Sequence, residues 1–298
     1  MVSFCLIACG GDGGEKGGDS SSSGSGGQRT TITDPIITDA PGTVSYSNGT
    51  STIDASNTSE GYIMINYTGG SGKVQVQITN PNGEVYPYPL GLGAFKAFPL
   101  TGGAGTYKID ILENVSADLY SMNLSQTIDV AIADEFRPYL YPNQYVDYTK
   151  ESAVVGKGIE LSNSSSDDLD YLTKVYDYTI GNITYDNEFA ASAPVNYIPN
   201  PDNTMATGKG ICFDYSSVMS SLLRSQGIPT KLVVGYSGEA YHAWISVFLK
   251  EQGWVENVIQ FDGTTWSLMD PTLAASNDPS AVSQYIGDGS NYTEKYHY

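Results

Sequence analysis

Hydrophobic and polar residues alternate along several short runs in the first half of the chain, over residues 62–67, 73–78, 107–112 and 126–130. Alternation with a period of two predicts strands that bury one face. Asn82-Gly83 and Gly102-Gly103 interrupt these runs, and such pairs favour tight turns between strands. We therefore predict an all-β, sandwich-like domain over residues 43–133.

The pattern changes to helical spacing after a Tyr- and Pro-rich junction at residues 135–142. Ser164 to Asp168 offers helix capping, and a second helix begins near Cys212 and stops at Gly227. The apolar positions of the two helices are Leu169, Leu172, Val175, Tyr176, Ile180, Val218, Leu222 and Leu223. Strand-like runs follow at 231–236, 241–249 and ahead of Asp270. These elements predict an α+β domain over residues 134–298, in which a helix packs on a small antiparallel sheet.

Residues 191–201 contain three prolines and no strong period. We interpret this segment as a loop on the same side as the start of the Cys212 helix, where it would shape access to that residue.

The N-terminal stretch has too few apolar residues to fold by itself. Leu6-Ile7-Ala8-Cys9 resembles the lipidation site of bacterial lipoproteins, so we expect a signal over residues 1–9 with Cys9 lipidated. An ordinary disordered terminus is the alternative. Residues 10–42 are rich in Gly and Ser and predict a flexible tether. No later apolar run approaches the roughly 20 residues that a bilayer requires.

The charge balance excludes one class of partner. The 298 residues include 14 basic and 33 acidic side chains, a net charge of −19. Nucleic-acid binding needs a basic surface, so we expect no nucleic-acid partner. Two histidines and one cysteine beyond the first ten residues make no familiar ligand set, and we predict no metal or other cofactor.

Cys212 is the residue with the clearest chemical potential. It follows Gly208-Lys209-Gly210-Ile211 and begins a predicted helix, where unpaired N–H groups favour the nucleophilic thiolate. A lone cysteine is otherwise often a small buried hydrophobe. His242, in a predicted strand, and Asp270, at the end of another, supply a base and an orienting acid in the order expected of a triad.

These three segments resemble the transglutaminase-like superfamily. The similarity lies in Gly-Ile-Cys212-Phe-Asp-Tyr, Tyr-His242-Ala-Trp and Met-Asp270-Pro, with residues 183–186 resembling the segment upstream of the cysteine. The resemblance implies a papain-like α+β fold, with Cys212 as nucleophile, His242 as base and acid, and Asp270 orienting the imidazole. It also suggests Tyr185 near the substrate cleft. Trp244 shares a strand face with His242 and would line that cleft, with an ordinary core tryptophan as the alternative.

The function implied is thiol-dependent acyl transfer outside the cytoplasm, on amide bonds of proteins or cell-wall peptides. Hydrolysis and crosslinking stay open, because the sequence does not identify the acceptor. The second donor to the oxyanion also stays open among Tyr185, Asn182 and Asn203. The alternative is a non-catalytic surface protein that retains the fold and binds through its β domain.

Overall fold

The computed structural model describes residues 29–237, 239–250, 252–255, 259–261, 266–268 and 292–298. The strands are β1 Ser45–Ser47, β2 Ser51–Asp54, β3 Tyr62–Tyr67, β4 Val74–Thr79, β5 Val85–Pro89, β6 Lys96–Pro99, β7 Gly105–Ser116, β8 Leu119–Val130, β9 Thr184–Tyr185, β10 Lys209–Gly210, β11 Thr230–Ser237, β12 Ala240–Leu249, β13 Gly253–Val255, β14 Ile259–Phe261, β15 Trp266–Leu268 and β16 Tyr292–His297. The α-helices are α1 Ala153–Asn163, α2 Asp168–Asn182, α3 Asn187–Ala190, α4 Pro201–Thr207 and α5 Cys212–Ser225.

The N-terminal half is rich in strands, as predicted. It forms two four-stranded antiparallel sheets with orders β1-β2-β3-β6 and β5-β4-β7-β8. Buried and half-buried residues alternate strictly along β4, whereas β3 is buried at nearly every position. Asn82 and Gly83 turn the chain between β4 and β5, and the positive φ of 89° at Gly83 is one that glycine adopts without strain.

Helix α5 is the centre of the C-terminal half. It begins at Cys212 as predicted and ends at Ser225, two residues before Gly227, whose φ is 76°. Every residue from Asp214 to Ser225 is buried, because α1, α2, α4 and the strands β11 and β12 all pack around the helix. A helix buried on all sides favours hydrophobic or small residues, and serines occupy several of the buried positions of α5.

A four-stranded antiparallel sheet lies against α5, with the order β13-β12-β11-β16. Its Leu232, Val234, Ala243 and Ile245 share one hydrophobic cluster with residues of α5 such as Leu222. The predicted fold class is therefore confirmed: the cysteine-bearing helix packs on an antiparallel sheet. Two details differ from the prediction. β16 was not predicted, and β14 and β15 pair only with each other among the described residues.

Arg224 joins several elements at the C-terminal end of α5. The side chain is 1% exposed and donates hydrogen bonds to the carbonyl oxygens of Thr230, Tyr141 and Tyr298. Burial lowers the pKa of Arg224 to about 10, which leaves the guanidinium protonated at neutral pH. This one cation thus holds together α5, the start of β11, the residue after β16 and the junction segment.

Tyrosines join the strand-rich half to the helical half. The ring of Tyr88 in β5 lies 5.8 Å from that of Tyr145 and 5.3 Å from that of Tyr298, centroid to centroid. Tyr145 lies 4.8 Å from Tyr298, and its carbonyl accepts a hydrogen bond from Ser217 of α5. All three tyrosine side chains are buried, so the two halves share a single hydrophobic core.

The segment from Arg29 makes contacts that the prediction of a tether through residue 42 did not include. Its guanidinium donates to Asp168 at 2.7 Å and to the Gln226 carbonyl at 2.5 Å, and lies 4.4 Å from the ring centre of Tyr171. Ile32 and Gln226 exchange two further hydrogen bonds. Composition did not predict these contacts, because one arginine that donates to several acceptors can attach a segment that has few apolar residues.

Replacing Ser220 by alanine is expected to stabilise the protein by about 0.5–1.5 kcal/mol. The Ser220 side chain is fully buried in α5, and its hydroxyl has no hydrogen-bond partner among the described residues. Ser225→Ala is the matched control, because Ser225 is equally buried but donates to the Leu222 carbonyl at 2.8 Å. Urea unfolding should show a higher midpoint only for Ser220→Ala; a lower one would show that the hydroxyl is bonded.

Candidate active site

Two short strands lead directly into the helix that carries Cys212. β9 and β10 pair in parallel, with Thr184 N–H donating to Gly208 O and Asp186 N–H to Gly210 O, both at 2.9 Å. Residues 183–186, which resembled the segment upstream of the cysteine, therefore lie beside it in space. Cys212 is the first residue of α5 and is half-buried. The positive end of the helix dipole is thus at the thiol.

Asp214 fixes the start of α5. Its carboxylate accepts from the backbone N–H of Ile211 at 2.9 Å, which closes the first turn around Cys212. The residue is 1% exposed. Burial raises the pKa of Asp214, and hydrogen bonds from Tyr197, Ile211 and Thr204 oppose that rise. The carboxylate therefore acts as an internal cap, and an acidic residue three positions after the N-cap residue Ile211 was the sequence signal for it.

The proline-containing loop reaches the same carboxylate. Tyr197 donates its hydroxyl proton to Asp214 at 2.6 Å, and its ring lies edge-on to Phe189 with 4.9 Å between centroids. The loop therefore lies beside the start of α5, on the predicted side. Neither Tyr197 nor the capping role of Asp214 was predicted, because this pairing depends on how a loop without periodicity folds back.

Replacing Gly210 by alanine is expected to destabilise the protein by about 1–3 kcal/mol and to slow modification of Cys212. A Cβ on Gly210 would lie 2.6 Å from the Asp214 Cβ, so the new methyl group would displace the cap. Gly156→Ala in α1 is the control, since nothing lies within 4 Å of its added Cβ. Unfolding midpoints and the rate of Cys212 alkylation test this; equal behaviour of the two variants would contradict it.

From the point where Arg224 joins α5 to β11, the path along the helix to Cys212 and the path along the strand to the level of His242 have similar lengths. Arg224 fixes the C-terminal end of α5 to Thr230, the first residue of β11. From Arg224 back to Cys212 the helix rises about 18 Å at ~1.5 Å per residue. From Thr230 to Gly235 the strand advances about 17 Å at ~3.3 Å per residue. Gly235 is the register partner of His242. Contact between thiol and imidazole stays a prediction.

The other predicted cleft residues have defined surroundings. Trp244 is 2% exposed and packs edge-on against Tyr292 of β16, with 5.0 Å between ring centroids. Tyr185 is the register partner of Gly210, and its ring lies 6.5 Å from that of Tyr215. Their place in a substrate cleft stays a prediction.

Two predicted site residues lie outside the described residues: Asp270 and the lipidation residue Cys9. No group of three His, Cys, Asp or Glu side chains suited to a metal ion occurs in the described part. Of the helices described, none combines the length and the apolar character that crossing a bilayer demands.

Comparison with known families identifies this part of the chain. Residues 158–257 match the family model of the transglutaminase-like superfamily. This segment is a transglutaminase-like domain. The match includes β9, β10, α5, β11 and β12, and therefore Cys212 and His242. The superfamily is one of thiol-dependent enzymes.

Two curated bacterial relatives are uncharacterised. The chain is 32% identical over 117 residues to YebA of Bacillus subtilis, which covers 33% of this chain and 16% of that protein. It is 24% identical over 193 residues to ML0607 of Mycobacterium leprae, which covers 61% of each. The chain therefore spans less than two thirds of either relative.

Solved structures give two further matches. A candidate cysteine protease from Cytophaga hutchinsonii matches with a TM-score of 0.41 at 11% identity, over 85% of this chain and 73% of that one. Red sea bream transglutaminase matches with a TM-score of 0.29 at 13% identity, over 71% of this chain and 48% of that one.

Proposed function

We propose that this chain is a thiol-dependent acyl-transfer enzyme that acts on amide bonds of proteins or peptides, with Cys212 as its nucleophile. The observation that carries the proposal is the place of Cys212 at the first position of α5, within a transglutaminase-like domain. Backbone N–H groups of the first turn favour the thiolate there. The thiol is half-buried, so a carbonyl can approach it while most of the helix stays packed.

In the proposed reaction the Cys212 sulfur attacks the amide carbonyl carbon, and the carbonyl π electrons move to oxygen. His242 takes the thiol proton and returns it to the leaving nitrogen as the C–N bond breaks, which leaves a thioester on Cys212. Asp270 would hold the imidazole in the tautomer that this proton transfer requires. Trp244 and Tyr185 would line the cleft. A second nucleophile then cleaves the thioester and restores the thiol.

The second nucleophile separates two enzyme classes. Water gives a peptidase or amidase, and a lysine amine gives a crosslinking transferase. Mass spectrometry of products formed with a glutamine-containing peptide and an added primary amine distinguishes them. Both reactions release ammonia from the side-chain amide, but hydrolysis leaves a carboxylate and transfer leaves the added amine in amide linkage. We propose peptide or cell-wall peptide amides as donors.

We also propose that the enzyme works outside the cytoplasm, attached to a membrane through a lipid on Cys9. The support is the resemblance of Leu6 to Cys9 to a lipidation site. Membrane fractionation of the expressed full chain and of Cys9→Ala tests it. An unchanged distribution of the variant would exclude the anchor.

Labelling of Cys212 tests the catalytic proposal directly. At pH 7 a fluorescent iodoacetamide should label the parent at Cys212 about tenfold faster than an unstructured peptide thiol, because the thiolate fraction is higher. Peptide mapping separates Cys212 from Cys5 and Cys9, and Cys212→Ala supplies the blank. Labelling at the rate of the peptide thiol would instead favour a non-catalytic surface protein.

A further inference from the structure

We propose that the hydroxyl of Tyr241 is the second donor to the oxyanion formed when Cys212 attacks a carbonyl. This inference rests on the function proposed above for Cys212. Tyr241 immediately precedes His242 in β12, and no role was predicted for it from sequence. The donors considered from sequence were Tyr185, Asn182 and Asn203.

The register of the sheet places Tyr241 on the face that carries α5. Val234 pairs with Ala243, and both belong to the hydrophobic cluster that includes α5. Residues two positions apart on a strand share a face, so the next pair on that face is Tyr236 with Tyr241. This pair lies one residue beyond Gly235. Its path length from the Arg224 junction is therefore similar to that of Cys212, the first residue of α5.

The surroundings of Tyr241 agree with this placement. Partial burial raises the pKa of Tyr241, and the charges of Tyr296, Tyr236 and Cys212 raise it further, in that order. Its ring lies edge-on to Tyr236, with 5.5 Å between centroids. A phenol whose pKa is raised stays protonated at neutral pH and can donate a hydrogen bond. The residue is also 59% exposed, so a substrate can reach it.

The proposed attack of Cys212 on a carbonyl needs a second hydrogen-bond donor to the oxyanion. When the thiolate forms the C–S bond, the carbonyl π pair becomes a localised charge on oxygen, and acyl-transfer sites stabilise it with two or more directed donors. The backbone N–H of Cys212 supplies one. The side-chain amide of Asn182 already donates to the Tyr178 carbonyl at 2.8 Å. Asn203 lies in the first turn of α4, where its N–H is bonded to Asn200. Tyr241 lies on the sheet face that carries α5, which favours it over both.

Two reagents separate oxyanion stabilisation from thiol reactivity. p-Nitrophenyl acetate acylates a thiolate through a tetrahedral oxyanion, whereas iodoacetamide alkylates it by displacement and forms none. In the full chain, Cys212-dependent release of p-nitrophenolate is measured against Cys212→Ala, and alkylation of Cys212 is followed by peptide mass. Tyr241→Phe keeps the ring and removes only the hydroxyl. We expect its acylation rate to fall roughly tenfold or more, with alkylation unchanged.

Tyr236→Phe is the matched control, since Tyr236 lies on the same face in contact with Tyr241, and it should change neither rate. Tyr185→Phe is measured in parallel.

The proposal is overturned if Tyr241→Phe leaves the ratio of the acylation rate to the alkylation rate unchanged, or if Tyr185→Phe alone lowers this ratio. A parent whose Cys212 acylates no faster than a peptide thiol of similar acidity would overturn this inference and the proposed function together. An active parent with unaffected Tyr241→Phe overturns this inference alone.

Discussion

Replacing His242 by alanine is expected to slow alkylation of Cys212 near pH 6.5 roughly tenfold or more, and to slow amide turnover by roughly 10²–10⁴-fold. The reason is that an adjacent imidazolium stabilises the thiolate more strongly than the helix dipole, whose share is only about 0.3–1 kcal/mol at an exposed site. Without His242 the pH at which alkylation reaches half its maximal rate should move up toward the ordinary cysteine value of about 8.5.

The measurement is the rate of Cys212 alkylation against pH in the parent and in His242→Ala. Superimposable curves would show that the imidazole does not act on the thiol, and the catalytic proposal would fail. His297→Ala is the control, because this second histidine lies in β16, paired with Glu294.

Replacing Arg224 by methionine is expected to lower the free energy of unfolding by about 3–5 kcal/mol. Methionine keeps much of the unbranched stem but leaves the buried carbonyl groups of Thr230, Tyr141 and Tyr298 without this donor. Lysine should recover only part of the loss, because its ammonium cannot span carbonyl groups that lie on separate elements as a planar fork does.

Urea unfolding of Arg224→Met and Arg224→Lys tests this expectation. Arg137→Met is the control: Arg137 pairs with Glu60 at 2.6 Å, but both side chains are about one third exposed, so its loss should cost about 1 kcal/mol or less. A cost of the same size at both positions would show that the carbonyl groups around Arg224 find other partners.

Local patterns predicted the position and type of several elements. β3 has the predicted bounds, and α5 begins at Cys212 and ends just before Gly227, because a helix start and a glycine stop are written within one short segment. The prediction missed α1, whose Gly156 and Gly158 weaken the helical pattern. An added Cβ on Gly158 would lie 2.9 Å from the Ser225 hydroxyl, so the close packing of α1 on α5 favours glycine at this position.

Contacts between segments far apart in the sequence were also not predicted. β16 joins β11, and nothing in its Tyr292–His297 sequence indicates which strand it pairs with. The candidate site shows the same limit. Cys212 and His242 stood out by residue type and context, whereas Tyr241 became a candidate only once register assigned its face. Tyr197 likewise needed the fold of its loop to meet Asp214.

The shared tyrosine core bears on how such a protein can change. Because Tyr88 of the strand-rich half packs against Tyr145 and Tyr298, a fragment that starts at residue 134 would expose the rings that Tyr88 now covers. The two halves therefore pack as one unit, and exchange of the strand-rich half for an unrelated module would need compensating substitutions on both sides. Tyr145 packs against Tyr88 and accepts a hydrogen bond from Ser217 of α5, so substitutions in the strand-rich half can alter the helix that begins at Cys212.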